Sequence, residues 1–420
     1  MLSSNSAKFS NEILLNPDSS QFQRIIADSF LQSQNVSSLN SSIADSQSSQ
    51  PGRLFSFKNK PNPPFNIVDS LNMNLSSLTL KSSELGFPKI RNISQVPERI
   101  LDAPEILDDY YLNLMDWGDN GLLAVSLNQS VYIWNCHSGE IANLLTTEAP
   151  SNYICSVNWM NQGGNCLAIG FADNSLQLWD AQTAQPIRNL KGHSSRVSSL
   201  SWNNHILSSG SRDTWILNHD IRARNNVISS FEGHKQEVCG LKWSPDGKLL
   251  ASGGNDNNLF IWEMNSRRKS FKYCFNEHTA AVKALSWCPW QRNILVSGGG
   301  TSDKTMKFWD MERGKLMNNV NVDSQVCSII WNPFDKELLS SHGFSKNQLI
   351  LWKFPTMEKI TELNGHTNRV LHTCLSPDGG TVVSAAADET LRFWKVFETP
   401  TVEEKNNMMD FLQEPSCNLR

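Results

Sequence analysis

The sequence lacks any apolar run near the roughly 18 residues that a membrane helix needs. Its start, Met1 to Asn16, offers only Ile13, Leu14 and Leu15 as an apolar cluster, too short for a secretory leader. There is no excess of positive charge: 37 Lys and Arg stand against 41 Asp and Glu, for a net charge of −4. A nucleic acid and a membrane are therefore not expected as partners. The 9 cysteines form no Cys-x-x-Cys pair, and an odd number cannot all be bridged. They read as reduced thiols of a protein of the nucleus and cytoplasm. There is also no glycine-rich phosphate loop, no metal-ligand cluster and no singular nucleophile triad. No cofactor is expected, and the chain is not read as an enzyme.

Tryptophan is absent from residues 1–97, which hold 22 serines and 11 asparagines instead. Such a segment buries too little apolar surface to offset its ordering entropy, so 1–97 is expected to be a disordered tail. All 14 tryptophans fall between Trp117 and Trp394, and the chain turns polar again after Phe397. One domain over 98–397, followed by a tail over 398–420, is the organisation this predicts.

What is present is periodic. Short β-branched or apolar runs end in tryptophan, often Trp-Asp, at Trp134, Trp179, Trp262, Trp309, Trp352 and Trp394, with His219 standing in once. The intervals are 45, 40, 43, 47, 43 and 42 residues, the period of a four-stranded propeller blade. Seven endings predict an all-β, seven-bladed WD-repeat propeller. Six residues before that position stands Asp173, Asp213, Asp256, Asp303 or Asp388, replaced by Asn128 and Lys346 in repeats one and six. His234, Ser252, Asp256 and Trp262 are spaced for a buried hydrogen-bond network, and His366, Ser384, Asp388 and Trp394 repeat it. Because the set recurs, it reads as structure rather than as a catalytic triad.

The last repeat has no later strand to complete its blade. Arg99–Asp102 is the natural donor, ahead of a first inner strand expected at Tyr111–Leu114. Sharing blade seven between the two ends of the domain would remove an open sheet edge. Polar residues in the loops of one face stand out as binding candidates: Asn255, Asn257, Thr301, Gln325, Arg369 and Glu389.

The run Arg99-Ile-Leu-Asp-Ala-Pro-Glu-Ile-Leu-Asp-Asp-Tyr-Tyr-Leu-Asn-Leu-Met-Asp-Trp117 resembles the lead-in of the Fizzy and Fizzy-related family. So do Gly253-Gly-Asn-Asp-Asn257, Gly298-Gly-Gly-Thr-Ser-Asp303, Ser324-Gln-Val-Cys-Ser328 and Ser384-Ala-Ala-Ala-Asp-Glu-Thr-Leu-Arg392. Members of that family are activator and substrate-receptor subunits of the anaphase-promoting complex, a ubiquitin ligase. The resemblance implies core subunits of that complex as partners, with degron-bearing substrates such as cyclins. It implies a destruction-box site between blades one and seven, where Asp102 and Glu389 take an arginine. Leu101, Ala103 and Pro104 would help to wall a leucine pocket. It also implies a site for a Lys-Glu-Asn motif at Asn255, Asn257, Thr301, Gln325 and Arg369, with Arg369 meeting the glutamate. An exposed ion pair contributes about 0–1 kcal/mol and a packed leucine roughly 1.5–3 kcal/mol, so the pocket should set affinity and the carboxylates specificity.

Docking to the ligase is implied for a tail motif. Asp28-Ser-Phe-Leu-Gln-Ser-Gln34 keeps Asp28, Phe30 and Leu31, but Ser29 and Gln34 replace the family's arginines. The chain closes on Leu419-Arg420, which resembles the family's Ile-Arg ending. Leu54-Phe-Ser-Phe57 resembles a further tail element. The tail over 1–97 holds no Ser-Pro or Thr-Pro pair for a proline-directed kinase, which points to a specialised, meiotic member. The altered docking motif leaves two alternatives: a WD-repeat scaffold without ligase function, or an inhibitor that holds degrons without activating. Arg267-Arg268-Lys269 reads as a solvated connection in blade four.

Overall fold

A computed structural model describes residue 91 and residues 93–399, apart from 150, 162–163 and 265–269. The docking candidates Asp28, Phe30, Leu31, Leu419 and Arg420 lie outside the described residues, as do Leu54–Phe57, 267–269 and nearly all of the two expected tails.

The described residues form seven four-stranded antiparallel sheets and no helix. Blades one to six span 115–146, 154–190, 197–231, 238–275, 282–321 and 326–363. Inner strands of consecutive blades touch all the way round, including blade seven against blade one, so the ring is closed. Blade seven takes Val370–Leu375, Thr381–Ala386 and Thr390–Lys395 from one end of the domain and Arg99–Asp102 from the other. Arg99 lies opposite Phe393 and Asp102 opposite Thr390. This is a seven-bladed β-propeller. Apolar side chains from facing blades fill the space between them, as where Leu259, Ile261 and Phe275 of blade four meet Leu285, Trp287 and Leu295 of blade five.

Each complete repeat network is a relay. In blade four, Trp262 Nε1–H donates to Ser252 Oγ at 2.8 Å, Ser252 Oγ lies 2.9 Å from His234 Nε2, and His234 Nδ1 lies 3.0 Å from Asp256. The same chain runs through Trp309, Ser297, His278 and Asp303, and through Trp394, Ser384, His366 and Asp388. The aspartate fixes Nδ1 as the protonated nitrogen and leaves Nε2 to accept from serine. Blade three keeps Asp213, His193 and Ser209 and substitutes His219 for the indole. Blade six, with Lys346 in place of the aspartate, solves the problem differently. His342 from its own strand reaches Ser340 at 2.7 Å, and Trp352 donates to the same oxygen.

The first inner strand differs from expectation. It is Met115–Trp117, not Tyr111–Leu114. The earlier stretch is spent closing the central channel. Tyr110 is buried, and its hydroxyl lies 3.0 Å from Val326 O in the first strand of blade six and 3.4 Å from Ala281 O beside blade five. Asn113 Nδ2 donates to Ser198 O and Cys239 O of blades three and four, at 2.7 and 3.0 Å. Only Asn113 retains a β-bridge, to Ser156 of blade two. Residues 103–113 therefore form a strap from the closure seam to the channel mouth.

Candidate functional site

The strap connects two polar regions on the face that carries the loops before the inner strands. The first lies at the seam. Ala103 N–H donates to Glu389 O at 2.7 Å, and Glu105 N–H reaches Glu389 Oε1 at 3.3 Å. Glu105 and Glu389 both hold φ of 61°, the left-handed region that a turn imposes here on ordinary side chains. Asn128 of blade one donates to Glu105 Oε2 at 3.3 Å. Asp102, Glu105 and Glu389 are all exposed, so three carboxylates border the junction of blades seven and one. Such a cluster suits a guanidinium, which can take two carboxylates along different edges. Leu101 and Ala103 are 4% and 1% exposed, so they back this region from within the core; Pro104 is half-buried.

The second region is a basin of about 570 Å³ at the channel mouth. Asn255, Asn257, Thr301, Gln325 and Arg369 all line it, brought from blades four to seven. The strap adds a wall through Asp108, Asp109, Tyr110 and Tyr111, and residues 279–281, Gly300 and Ser302 complete the lining. Tyr111 donates its hydroxyl hydrogen to Asn255 Oδ1 at 2.8 Å, and Asn255 Nδ2 donates to Gln236 Oε1 at 2.6 Å. Asn257 Nδ2 donates to Thr279 O at 3.3 Å. Gln325 is only 6% exposed, and its backbone oxygen is taken by Gly343 N–H.

The charges at this mouth are paired internally. Arg196 grips Glu237 with two parallel hydrogen bonds of 2.8 and 2.9 Å and reaches Asp109 at 2.8 Å. Burial disfavours the Arg196 charge, but Glu237, Tyr153 and Asp109 outweigh it and push its pKa up. Arg369 is engaged too: its Nε–H donates to Asp108 Oδ1 and its Nη2 to Asp108 O. The family resemblance implies a glutamate partner for Arg369; within the chain, Asp108 takes the side-on edge of its guanidinium. Glu105, Asp108, Asp109 and Tyr111 were not singled out from sequence. Their signal was the acidic-aromatic run directly after the strand Arg99–Asp102. Among the described residues, no cluster of three His, Cys, Asp or Glu is placed to hold a metal ion.

The family described as the CDC20/Fizzy WD40 domain matches residues 101–394. The chain belongs to the CDC20/Fizzy family. It is 50% identical over 366 residues to the "Anaphase-promoting complex subunit cdc20" of Dictyostelium discoideum, covering 84% of this chain and 73% of that protein. It is 46% identical over 368 residues to "Cell division cycle 20.1, cofactor of APC complex" of Arabidopsis thaliana, covering 86% and 79%. A chain in a crystal structure of the mitotic checkpoint complex superposes with a TM-score of 0.71 at 41% identity, over 83% of this chain and all of that one. The CDC20/Fizzy match begins within the strand that closes blade seven and ends at the last repeat tryptophan.

Proposed function

We propose that this CDC20/Fizzy protein activates the anaphase-promoting complex and holds degron peptides on the loop face of its propeller. The similarity to named subunits and cofactors of that complex over most of the chain carries the reading. The protein is not itself an enzyme; ubiquitin transfer takes place on other subunits.

The seam carboxylates support a destruction-box site. Asp102 and Glu389, with Glu105 beside them, present negative charge to a ligand arginine, and the Leu101–Pro104 segment backs an apolar neighbour three residues along. The basin supports a Lys-Glu-Asn site: amide, hydroxyl and guanidinium groups of Asn255, Asn257, Thr301, Gln325 and Arg369 converge there. Docking to the ligase is proposed through Asp28, Phe30 and Leu31 and through Leu419-Arg420.

The test is a ubiquitination assay with the purified complex, a destruction-box substrate and the full chain. Stimulation that falls in Asp102→Asn/Glu389→Gln supports the reading. Association with the complex without stimulation makes the protein an inhibitor. No association, with or without Leu419-Arg420, leaves a scaffold.

A further inference from the structure

Arg369 is the one basin cation proposed to meet a ligand carboxylate, and Asp108 already occupies it. The two residues lie 261 positions apart in sequence. Asp108 satisfies Nε with its carboxylate and Nη2 with its backbone oxygen, at 2.9 Å for the latter. Two of five guanidinium donors, forming one edge of the fork, are thereby used. The Arg369 side chain is 19% exposed and that of Asp108 is 46% exposed. The arginine is thus held back in the wall while its aspartate faces solvent. Asp108 is also placed by the fold rather than by chance, because the strap is fixed before it at Ala103 and after it at Tyr110.

We propose that Asp108 is a specificity-setting residue: a built-in carboxylate that competes with the ligand's acidic side chain for Arg369. A ligand glutamate has two routes. It displaces Asp108 from the side-on edge, or it takes the remaining edge with a like charge beside it. Either route is penalised by the Asp108 charge. An acidic residue alone therefore binds weakly, and the basin responds only when other contacts hold the peptide in place. The inference rests on the basin being the Lys-Glu-Asn site.

The experiment uses the full chain, with a synthetic peptide carrying Lys-Glu-Asn and its Lys-Gln-Asn analogue. Asp108→Asn keeps the side chain's shape and removes its charge. It should tighten the Lys-Glu-Asn peptide about threefold to tenfold and leave the Lys-Gln-Asn peptide within about twofold. Equal gains for both peptides, or no gain for the first, overturn the proposal. A readout without peptide separates the two layers of the argument. In arginine-labelled protein, the Arg369 Nε–H should exchange with water at least about tenfold faster in Asp108→Ala than in the native chain. Unchanged exchange overturns the ion pair itself. If the exchange pattern holds but neither native chain nor Asp108→Asn binds the Lys-Glu-Asn peptide, the reading of the basin fails and the competition falls with it.

Discussion

Ala103 donates its backbone N–H to the backbone oxygen of Glu389 at 2.7 Å, joining the first strand of the domain to the turn before its last. This bond brings the backbone at Glu389 beside the residue that follows Asp102, so both acids belong to the same seam. Removing their charge should therefore act on capture. Asp102→Asn/Glu389→Gln is expected to weaken a destruction-box peptide roughly fivefold to twentyfold, mostly through a slower on-rate that loses its salt dependence. Stopped-flow binding at two ionic strengths measures this; an unchanged on-rate excludes the acids from recognition.

Arg369 is the basin's cation, set in its wall beside Asp108. Arg369→Glu should weaken a Lys-Glu-Asn peptide by at least about tenfold by placing two like charges together. Its ion-pair partner is nearly half exposed, so the melting temperature should barely move. Calorimetry and a thermal melt check both halves, and an unaltered affinity would remove Arg369 from the site.

Tyr110 holds the strap to the ring through the carbonyls of Val326 and Ala281. Tyr110→Phe keeps the ring and strands those buried acceptors, at a cost of about 1–2 kcal/mol. Denaturant unfolding should show the loss, and amide exchange over 104–112 should quicken more than in any blade. Uniform protection would mean that the strap needs no such anchor.

Ser252 has two partners at once, Trp262 and His234. Ser252→Ala orphans both in a fully buried position and should cost about 2–4 kcal/mol. A midpoint shift worth less than about 0.5 kcal/mol would show that the relay is decorative.

Acid should destabilise the domain in two stages. Burial holds His342 down to about 4 and His219 down to about 3, from an ordinary 6.5. Burial also lowers His372, and lowers His366 against the opposing pull of Asp388. The unfolded chain binds protons on these groups before the folded chain does, so stability is full above 6.5 and declines as pH falls below it. The aspartates add a second loss. Burial alone would raise Asp303, but hydrogen bonds from His278 and Thr305 hold it down to about 2 from 3.8. Its contribution is present above 3.8 and disappears as pH drops toward 2. Thermal melts should fall steadily between about pH 7 and 4.5; a flat profile there would contradict the first stage.

The ring was legible because its signals are local. A repeat-ending tryptophan and, in most repeats, an aspartate six residues earlier report on one blade each. The missing outer strand of blade seven was legible for a related reason: an unpaired edge has to be covered, and Arg99–Asp102 was available. What escaped depends on contacts between distant segments. Nothing near Tyr111–Leu114 says that the segment abandons strand pairing to plug a channel. The blade-six substitute escaped for a different reason: His342 serves Ser340 from two residues away in the same strand, outside the spacing that the repeats share. Asp108 looked like one acid among several until its partner across the ring was in view.

The strap's anchoring at both ends makes its length part of the surface. Ala103 and Tyr110 are both bonded to the ring, so an added or deleted residue has to be taken up between them. Such a change is expected to fall on Asp108 and Asp109, which lie between those anchors and pair with Arg369 and Arg196. The spacing of this segment therefore shapes the loop face alongside its side-chain chemistry, at the seam and at the basin together.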